Sequence, residues 1–146
     1  MGYLTHVYRL AIVFWVGGAT LFTFVLTPTL FKNFDRDLAG SIVGALFPGY
    51  FCWGLVCGAL AFICLLPMQS PYKATKLMII AAMLAVTSLQ AFVIEPKAAA
   101  LKKEIPSFVT TPEDHPLRQQ FKTLHAFSAA GNLGVIGGGV VLVLLL

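Results

Sequence analysis

Four apolar stretches, each long enough to form a membrane-spanning helix, constrain this chain more than any other feature. They run at about 4–30, 39–66, 75–94 and 124–146 of the 146 residues. About 20 residues at 1.5 Å each cross the roughly 30 Å hydrocarbon core of a bilayer. Soluble domains usually carry about 25% charged residues, whereas here 11% are charged and 58% are hydrophobic. The sequence therefore predicts an all-α integral membrane protein, a four-helix bundle.

Short polar segments separate the stretches and set the order of the predicted helices. We expect a single transmembrane domain over 1–146, with helices at about 4–30, 39–66, 75–104 and 120–146. The third helix continues past Pro96 in a run rich in Ala and Lys, so we expect it to extend beyond the bilayer and to kink at Pro96. In the fourth helix, Gly134 and Gly138 have the four-residue spacing that favours close packing of membrane helices.

An even number of spanning helices places both termini on one side of the membrane, here called side A. The opposite side, side B, holds the connections at 31–38 and 95–123. Side B carries seven Lys and Arg residues and side A carries three. Because cytoplasmic loops are enriched in basic residues, we expect side B to face the cytoplasm, from a bacterial inner (plasma) membrane. The basic run at 97–104 suits contact with anionic lipid headgroups, and no nucleic-acid-binding motif occurs in the sequence.

Polar residues inside the apolar stretches mark the candidate site, because such residues are costly in a bilayer and are often functional. Glu95 and Gln90 end the third stretch, and Arg118, His125 and Asn132 open the fourth, all toward side B. We expect Glu95 to accept hydrogen bonds or bind a cation, with His125 as its proton-switchable partner. Asn132 would orient the ligand and Arg118 would neutralise charge. The same residues also suit a hydrogen-bonded clasp that only fastens the helices.

Histidines raise the alternative of a b-type haem or copper site. His6 lies near side A and His125 near side B, about 30 Å apart across the membrane. The two therefore cannot hold one metal ion together, although each could serve alone as a haem or copper ligand. The sequence contains no hydrolase elbow, Walker motif or zincin signature, so it gives no basis for predicting an enzyme.

Three segments carry a resemblance to a known family. They read LFPGYF at 46–51, IEPKAAA at 94–100 and LRQQFKTLHAFSAAGNL at 117–133. In order and spacing they resemble the LFPxYF, LEPR and LRxxFxxxHxxSxxxN segments of the transmembrane protein 205-like family, with Lys97 at the arginine position. This resemblance implies a four-helix membrane fold and a domain of unknown function. The first helix, with His6 followed by WVGG at 15–18, is more distantly similar to four-helix copper-resistance and haem-biosynthesis membrane domains, which implies His6 as an axial ligand.

Three functions follow from these patterns. The first is binding or movement of a small ligand or cation at the polar site on side B. The second is a membrane protein that holds haem b or copper through His6 or His125. The third is a structural or assembly subunit that packs against a membrane-protein partner or a second copy of itself.

Overall fold

The chain folds into four long helices and contains no strand over residues 2–146, which are the residues that this computed structural model describes. The helices are α1 (Gly2–Asn33), α2 (Arg36–Leu65), α3 (Lys73–Glu104) and α4 (Pro116–Leu144). All four are long and apolar enough to cross a membrane. The prediction of an all-α membrane four-helix bundle is therefore confirmed.

Consecutive helices run antiparallel and pack as neighbours, and α4 closes the bundle against α1. As a result α1 lies diagonally opposite α3, and α2 lies diagonally opposite α4. The connections at 66–72 and the ends of α1 and α4 at Gly2 and Leu144 form side A. The connections at 34–35 and 105–115 form side B.

Two helices begin a few residues earlier than expected because side chains cap their first turns. The Asp35 carboxylate accepts the Leu38 backbone N–H at 2.8 Å, so α2 begins at Arg36 instead of near 39. Such a cap satisfies one of the backbone donors that a helix N-terminus leaves free. The His115 Nδ1 atom accepts the Leu117 N–H at 3.3 Å, and α4 begins there with a proline at its first position.

The core forms where aromatic side chains meet glycines. Trp15 is 3% exposed and packs against Gly54 and Gly58 of α2. A Cβ at Gly58 would lie 2.6 Å from atoms of both Trp15 and Leu84, which is closer than real Cβ contacts. On α4, Gly138 packs against Met83, whereas a Cβ at Gly134 would meet open space. The close approach expected from the Gly134–Gly138 spacing thus involves only Gly138.

Both α1 and α3 widen into one π-helical turn just before a proline. The π turns span Phe22–Leu26 and Gln90–Ile94, and they precede Pro28 and Pro96. In each, a backbone N–H bonds five residues back, from Thr27 to Phe22 and from Glu95 to Gln90. Proline lacks an N–H and its ring crowds the carbonyl four residues earlier, so a wider turn relieves the crowding. Irregularity expected at Pro96 therefore takes the form of a π turn.

On side B, the connection between α3 and α4 is held against α2. The Asp37 carboxylate accepts the Ser107 hydroxyl at 2.5 Å and the Phe108 backbone N–H at 2.7 Å. The Arg118 guanidinium donates to the Thr111 carbonyl and lies 5.7 Å from the centre of the Phe108 ring. These contacts order the long connection beside the end of the bundle.

Candidate functional site

A hydrogen-bonded chain of polar side chains crosses the inside of the bundle. The Tyr50 hydroxyl of α2 donates to the Asn132 side-chain oxygen of α4. The Asn132 amide in turn donates to the Thr23 hydroxyl of α1. The Tyr50 ring stacks on Phe22 with the ring centres 4.4 Å apart, which holds its hydroxyl toward Asn132. Because unpaired amides are expensive in an apolar interior, these partners explain how an asparagine is tolerated there.

Gln90 of α3 completes the polar cluster. Its side chain is 2% exposed, and its amide donates to the Ser128 backbone carbonyl of α4 at 2.6 Å. Thr87 lies one turn earlier, and its hydroxyl bonds back to the Met83 carbonyl at 2.8 Å. We refer to the side chains of Thr23, Tyr50, Gln90, Ser128 and Asn132 as the interior cluster. All four helices contribute to it.

The space beside the interior cluster is very small. Its lining includes Tyr50, Gln90, Asn132 and Trp15, and its volume is about 10 Å³. A cavity of about 10–15 Å³ holds one water molecule. In this conformation the site is therefore closed around a volume no larger than a water molecule or a bare monovalent ion.

The interior cluster lies deep within the span. Along α1, Arg9 and Lys32 bound a segment without charged residues that is about 35 Å long, which matches the bilayer core. Thr23 lies about 20 Å from Arg9 and about 14 Å from Lys32 along the helix. The cluster therefore lies close to the middle of the bundle. The sequence had placed the site at the side-B face instead.

The structure brings together only part of the predicted site. Asn132 and Gln90 belong to the interior cluster, as described above. His125 is exposed on the outside of α4, where its ring lies parallel to Phe121 with centres 6.3 Å apart. Arg118, with a side chain 10% exposed, is committed to the side-B connection and pairs with Glu113 at 3.8 Å. His125 and Arg118 therefore do not face the cluster.

Glu95 takes an intermediate position. It is partly buried one turn beyond Gln90, and it interacts electrostatically with Lys102 of the same helix. The Lys102 ammonium packs against α2, where a Cβ at Gly40 would lie 3.4 Å from it. Glu95 thus lies between the interior cluster and the cationic end of α3, without the contact to His125 that the sequence suggested.

The histidines do not form a shared metal site. His6 and His125 are both exposed, and they lie about 35 Å apart along the bundle. Within residues 2–146, no group of three or more His, Cys, Asp or Glu side chains is placed to hold a metal ion. Cys52, Cys57 and Cys64 are free thiols, and the last two are buried. The donor set does not match a bis-histidine haem or a multidentate copper site.

Sequence reasoning missed Tyr50 and did not link Thr23 to the site. A signal for Tyr50 was available, because tyrosines of membrane helices concentrate at the two interfaces. Tyr50 lies 15 residues into the apolar helix α2, where its hydroxyl needs a buried partner. Thr23 gave no such signal, since a threonine hydroxyl can bond within its own helix.

Comparison with known proteins identifies the family but not an activity. An "Uncharacterized protein" of Aquifex aeolicus (strain VF5) is 42% identical over 43 residues, a match that covers 30% of this chain and 33% of the relative. The chain thus matches about a third of that relative's length. No solved structure matches the chain. Residues 10–107, which include Thr23, Tyr50 and Gln90, match the family described as "Domain of unknown function (DUF4149)". Since this match spans more than half of the sequence, the chain belongs to the DUF4149 family.

Proposed function

We propose that this membrane protein binds or moves a small polar ligand or a monovalent cation at the interior cluster. The observation that carries the proposal is the pair of π turns in the diagonally opposed helices α1 and α3. Each turn contributes a polar side chain, Thr23 from the first and Gln90 from the second. Single π turns are frequent at functional sites.

The chemistry of the cluster limits the ligand. Its side chains are hydroxyls and amides without formal charge, which bind either a hydrogen-bonding neutral molecule or a cation that accepts neutral oxygen ligands. Hard cations prefer such oxygen ligands. Glu95, one turn from Gln90 toward side B, adds a carboxylate on the route into the cluster and favours a cation over an anion. Because the enclosed space is about 10 Å³, a larger ligand requires the helices to separate.

A structural role is the second candidate, and one observation favours it. Tyr50, Asn132 and Thr23 already satisfy one another, as expected for a clasp that fastens three helices. Hydrogen bonds between membrane helices contribute about 0.6 kcal/mol on average. A clasp of this kind would serve a subunit whose role is to pack against a partner.

Thermal unfolding of the purified protein in detergent separates the two candidates. The wild type, Asn132→Leu and Thr20→Val are compared in choline chloride and in lithium, sodium and potassium chloride, and then with small amides and polyols. Thr20 is a matched control, because it lies on α1 one turn before Thr23. A ligand at 100 times its Kd stabilises the folded state by about 2.7 kcal/mol. We expect one cation or small ligand to raise the Tm of the wild type and of Thr20→Val, but not of Asn132→Leu.

The opposite results are equally clear. If no cation or small molecule changes the Tm of the wild type, the binding proposal is wrong. If Asn132→Leu only lowers the Tm and no ligand acts on any variant, the cluster is a helix clasp.

Glu95→Gln tests the route to the site, and we expect it to weaken cation binding while the protein still folds.

We also propose that side B faces the cytoplasm of a bacterial plasma membrane. The excess of basic residues on that side supports this orientation. Accessibility labelling of single cysteines placed at Ser107 and at Ser70, in a cysteine-free background, tests it in intact cells. Labelling of Ser107→Cys from outside the cell would reverse the orientation.

A further inference from the structure

A second open space lies away from the interior cluster, between the side-B ends of α3 and α4. It is a groove of about 510 Å³ whose walls include Lys97, Ala100, Leu101, Glu104, Gln120 and Thr123. One side of the groove is formed by the last turns of α3 and the other by the first turns of α4. Its walls are mostly apolar and also carry one cation, one anion and neutral polar groups.

The groove lies at the boundary of the predicted hydrocarbon core. Gln90 packs against Gly131, so Lys97 of α3 lies seven residues closer to side B, at the depth of Leu124 of α4. Thr23 bonds Asn132, and counting outward from that pair brings Lys32 and Lys122 to one depth beside Leu124. Lys97, Lys32 and Lys122 therefore lie at about the same level, as expected where helices leave the bilayer.

Below the groove, the surface is apolar and uncovered. Val93 is one turn before Lys97 on α3 and is 40% exposed. Phe127 is one turn after Thr123 on α4 and is 66% exposed. A molecule seated in the groove would therefore contact mainly apolar walls that carry the charges of Lys97 and Glu104, and further apolar side chains on the membrane side. A phospholipid has this division between headgroup and acyl chains.

The order of charges along the groove selects the headgroup. Lys97 lies at the end nearer the bilayer and Glu104 lies two turns farther out. Side chains seven residues apart on a helix do not pair with each other, and neither residue forms an ion pair within residues 2–146. In a phospholipid that bears a primary amine, the phosphate lies nearer the bilayer and the ammonium lies farther out. The phosphate and ammonium of the headgroup thus occur in the same order, from the bilayer outward, as the Lys97 and Glu104 charges that would pair with them.

We propose that this groove binds a phosphatidylethanolamine-type lipid. Its phosphate contacts the Lys97 ammonium, and its primary ammonium donates to the Glu104 carboxylate and the Gln120 side-chain oxygen. The acyl chains lie over Val93 and Phe127. A lipid with a quaternary ammonium cannot donate these hydrogen bonds, and a purely anionic lipid leaves Glu104 unpaired and repelled.

Lipid retention by the full-length protein tests this site. The protein is equilibrated in mixed micelles containing equal amounts of dioleoyl phosphatidylethanolamine, phosphatidylcholine and phosphatidylglycerol, and the retained lipids are quantified after detergent washing. A charge-assisted hydrogen bond at a partly exposed site is expected to enrich phosphatidylethanolamine about fivefold over phosphatidylcholine. Glu104→Gln should lower this ratio toward one, because the remaining acceptors carry no charge, and Lys97→Gln should lower the retention of all three lipids. Asp114→Asn and Lys103→Gln remove a charge outside the groove, so they should leave the ratio unchanged.

A steric variant checks the location without changing charge. Ala100→Phe places a ring on the groove wall at an exposed position, so the fold should persist while retention falls. Equal retention of phosphatidylethanolamine and phosphatidylcholine by the wild type would overturn the proposal. Preferential retention of phosphatidylglycerol, unaffected by Glu104→Gln, would also overturn it and would indicate general attraction of anionic lipid to the lysines at this level.

Discussion

Alanine at Gly58 should destabilise the bundle, whereas alanine at Gly49 of the same helix should not. At Gly58 a Cβ would lie 2.6 Å from Leu84 Cδ2 and from Trp15 Cζ3, and at Gly49 it would meet nothing within 4 Å. Trp15 is 3% exposed, so its indole has no room to retreat. Overpacking of this kind costs about 1–3 kcal/mol. Both substitutions gain the same helix propensity, about 1 kcal/mol. The difference between their free energies of unfolding therefore measures the cost of overpacking at Gly58.

The measurement is unfolding of both variants and the wild type by titration with sodium dodecyl sulfate, followed by circular dichroism. We expect the free energy of unfolding of Gly58→Ala to lie about 1–3 kcal/mol below that of Gly49→Ala. We expect Gly49→Ala to match or exceed the wild type. Equal stability of the two variants would refute the close packing of α2 on Trp15, and with it the arrangement of α1, α2 and α3 described above.

Two further predictions concern side chains at opposite ends of the bundle. The Tyr8 hydroxyl is buried and has no hydrogen-bond partner among residues 2–146, so Tyr8→Phe should raise the free energy of unfolding by about 1 kcal/mol. A loss of stability in the same detergent titration would mean that the hydroxyl has a partner in the membrane. Asp37→Ala removes the acceptor for Ser107 and Phe108, so amide hydrogen exchange in residues 105–111 should accelerate about tenfold or more. Asp114→Asn serves as the control, and unchanged exchange in Asp37→Ala would show that other contacts hold this connection.

The number of helices followed directly from the sequence, although two of them begin a few residues earlier than expected. Apolar runs of about 20 residues have no alternative in a bilayer, where every backbone polar group must be satisfied within a helix or a closed barrel. Capping was also readable in principle, because Asp35 directly precedes the first turn of α2. By contrast, the close contact of Gly58 with Trp15 depends on which faces of α1 and α2 meet. Spacing alone pointed instead to Gly134, which faces open space.

The sequence placed the site at the side-B face, whereas the interior cluster lies deeper, and it could not show which way each side chain faces. Glu95 and His125 do lie at a similar level, but His125 faces away from the bundle. Asn132 was recognisable because an amide in an apolar helix requires a partner. Its partner Tyr50 comes from α2, at a position fixed only by the packing of three helices. A sequence gives the depth of each residue along its own helix, whereas the rotation of each helix is set by its neighbours.

The π turn of α3 holds one residue more than the α-helical turn that it replaces, because the Glu95 N–H bonds five residues back to Gln90. A π turn is wider than an α turn, so the extra residue is absorbed locally and the outer end of the helix keeps nearly the same direction. Deleting one residue from Gln90–Ile94 should therefore restore a regular helix and leave Lys97 and Glu104 on the wall of the groove. Deleting one residue from the regular helix at 98–100 would instead rotate Glu104 relative to Lys97 by about 100°. Among relatives of this chain, a gap of one residue would thus be compatible with the same groove at the π turn, but not between Lys97 and Glu104.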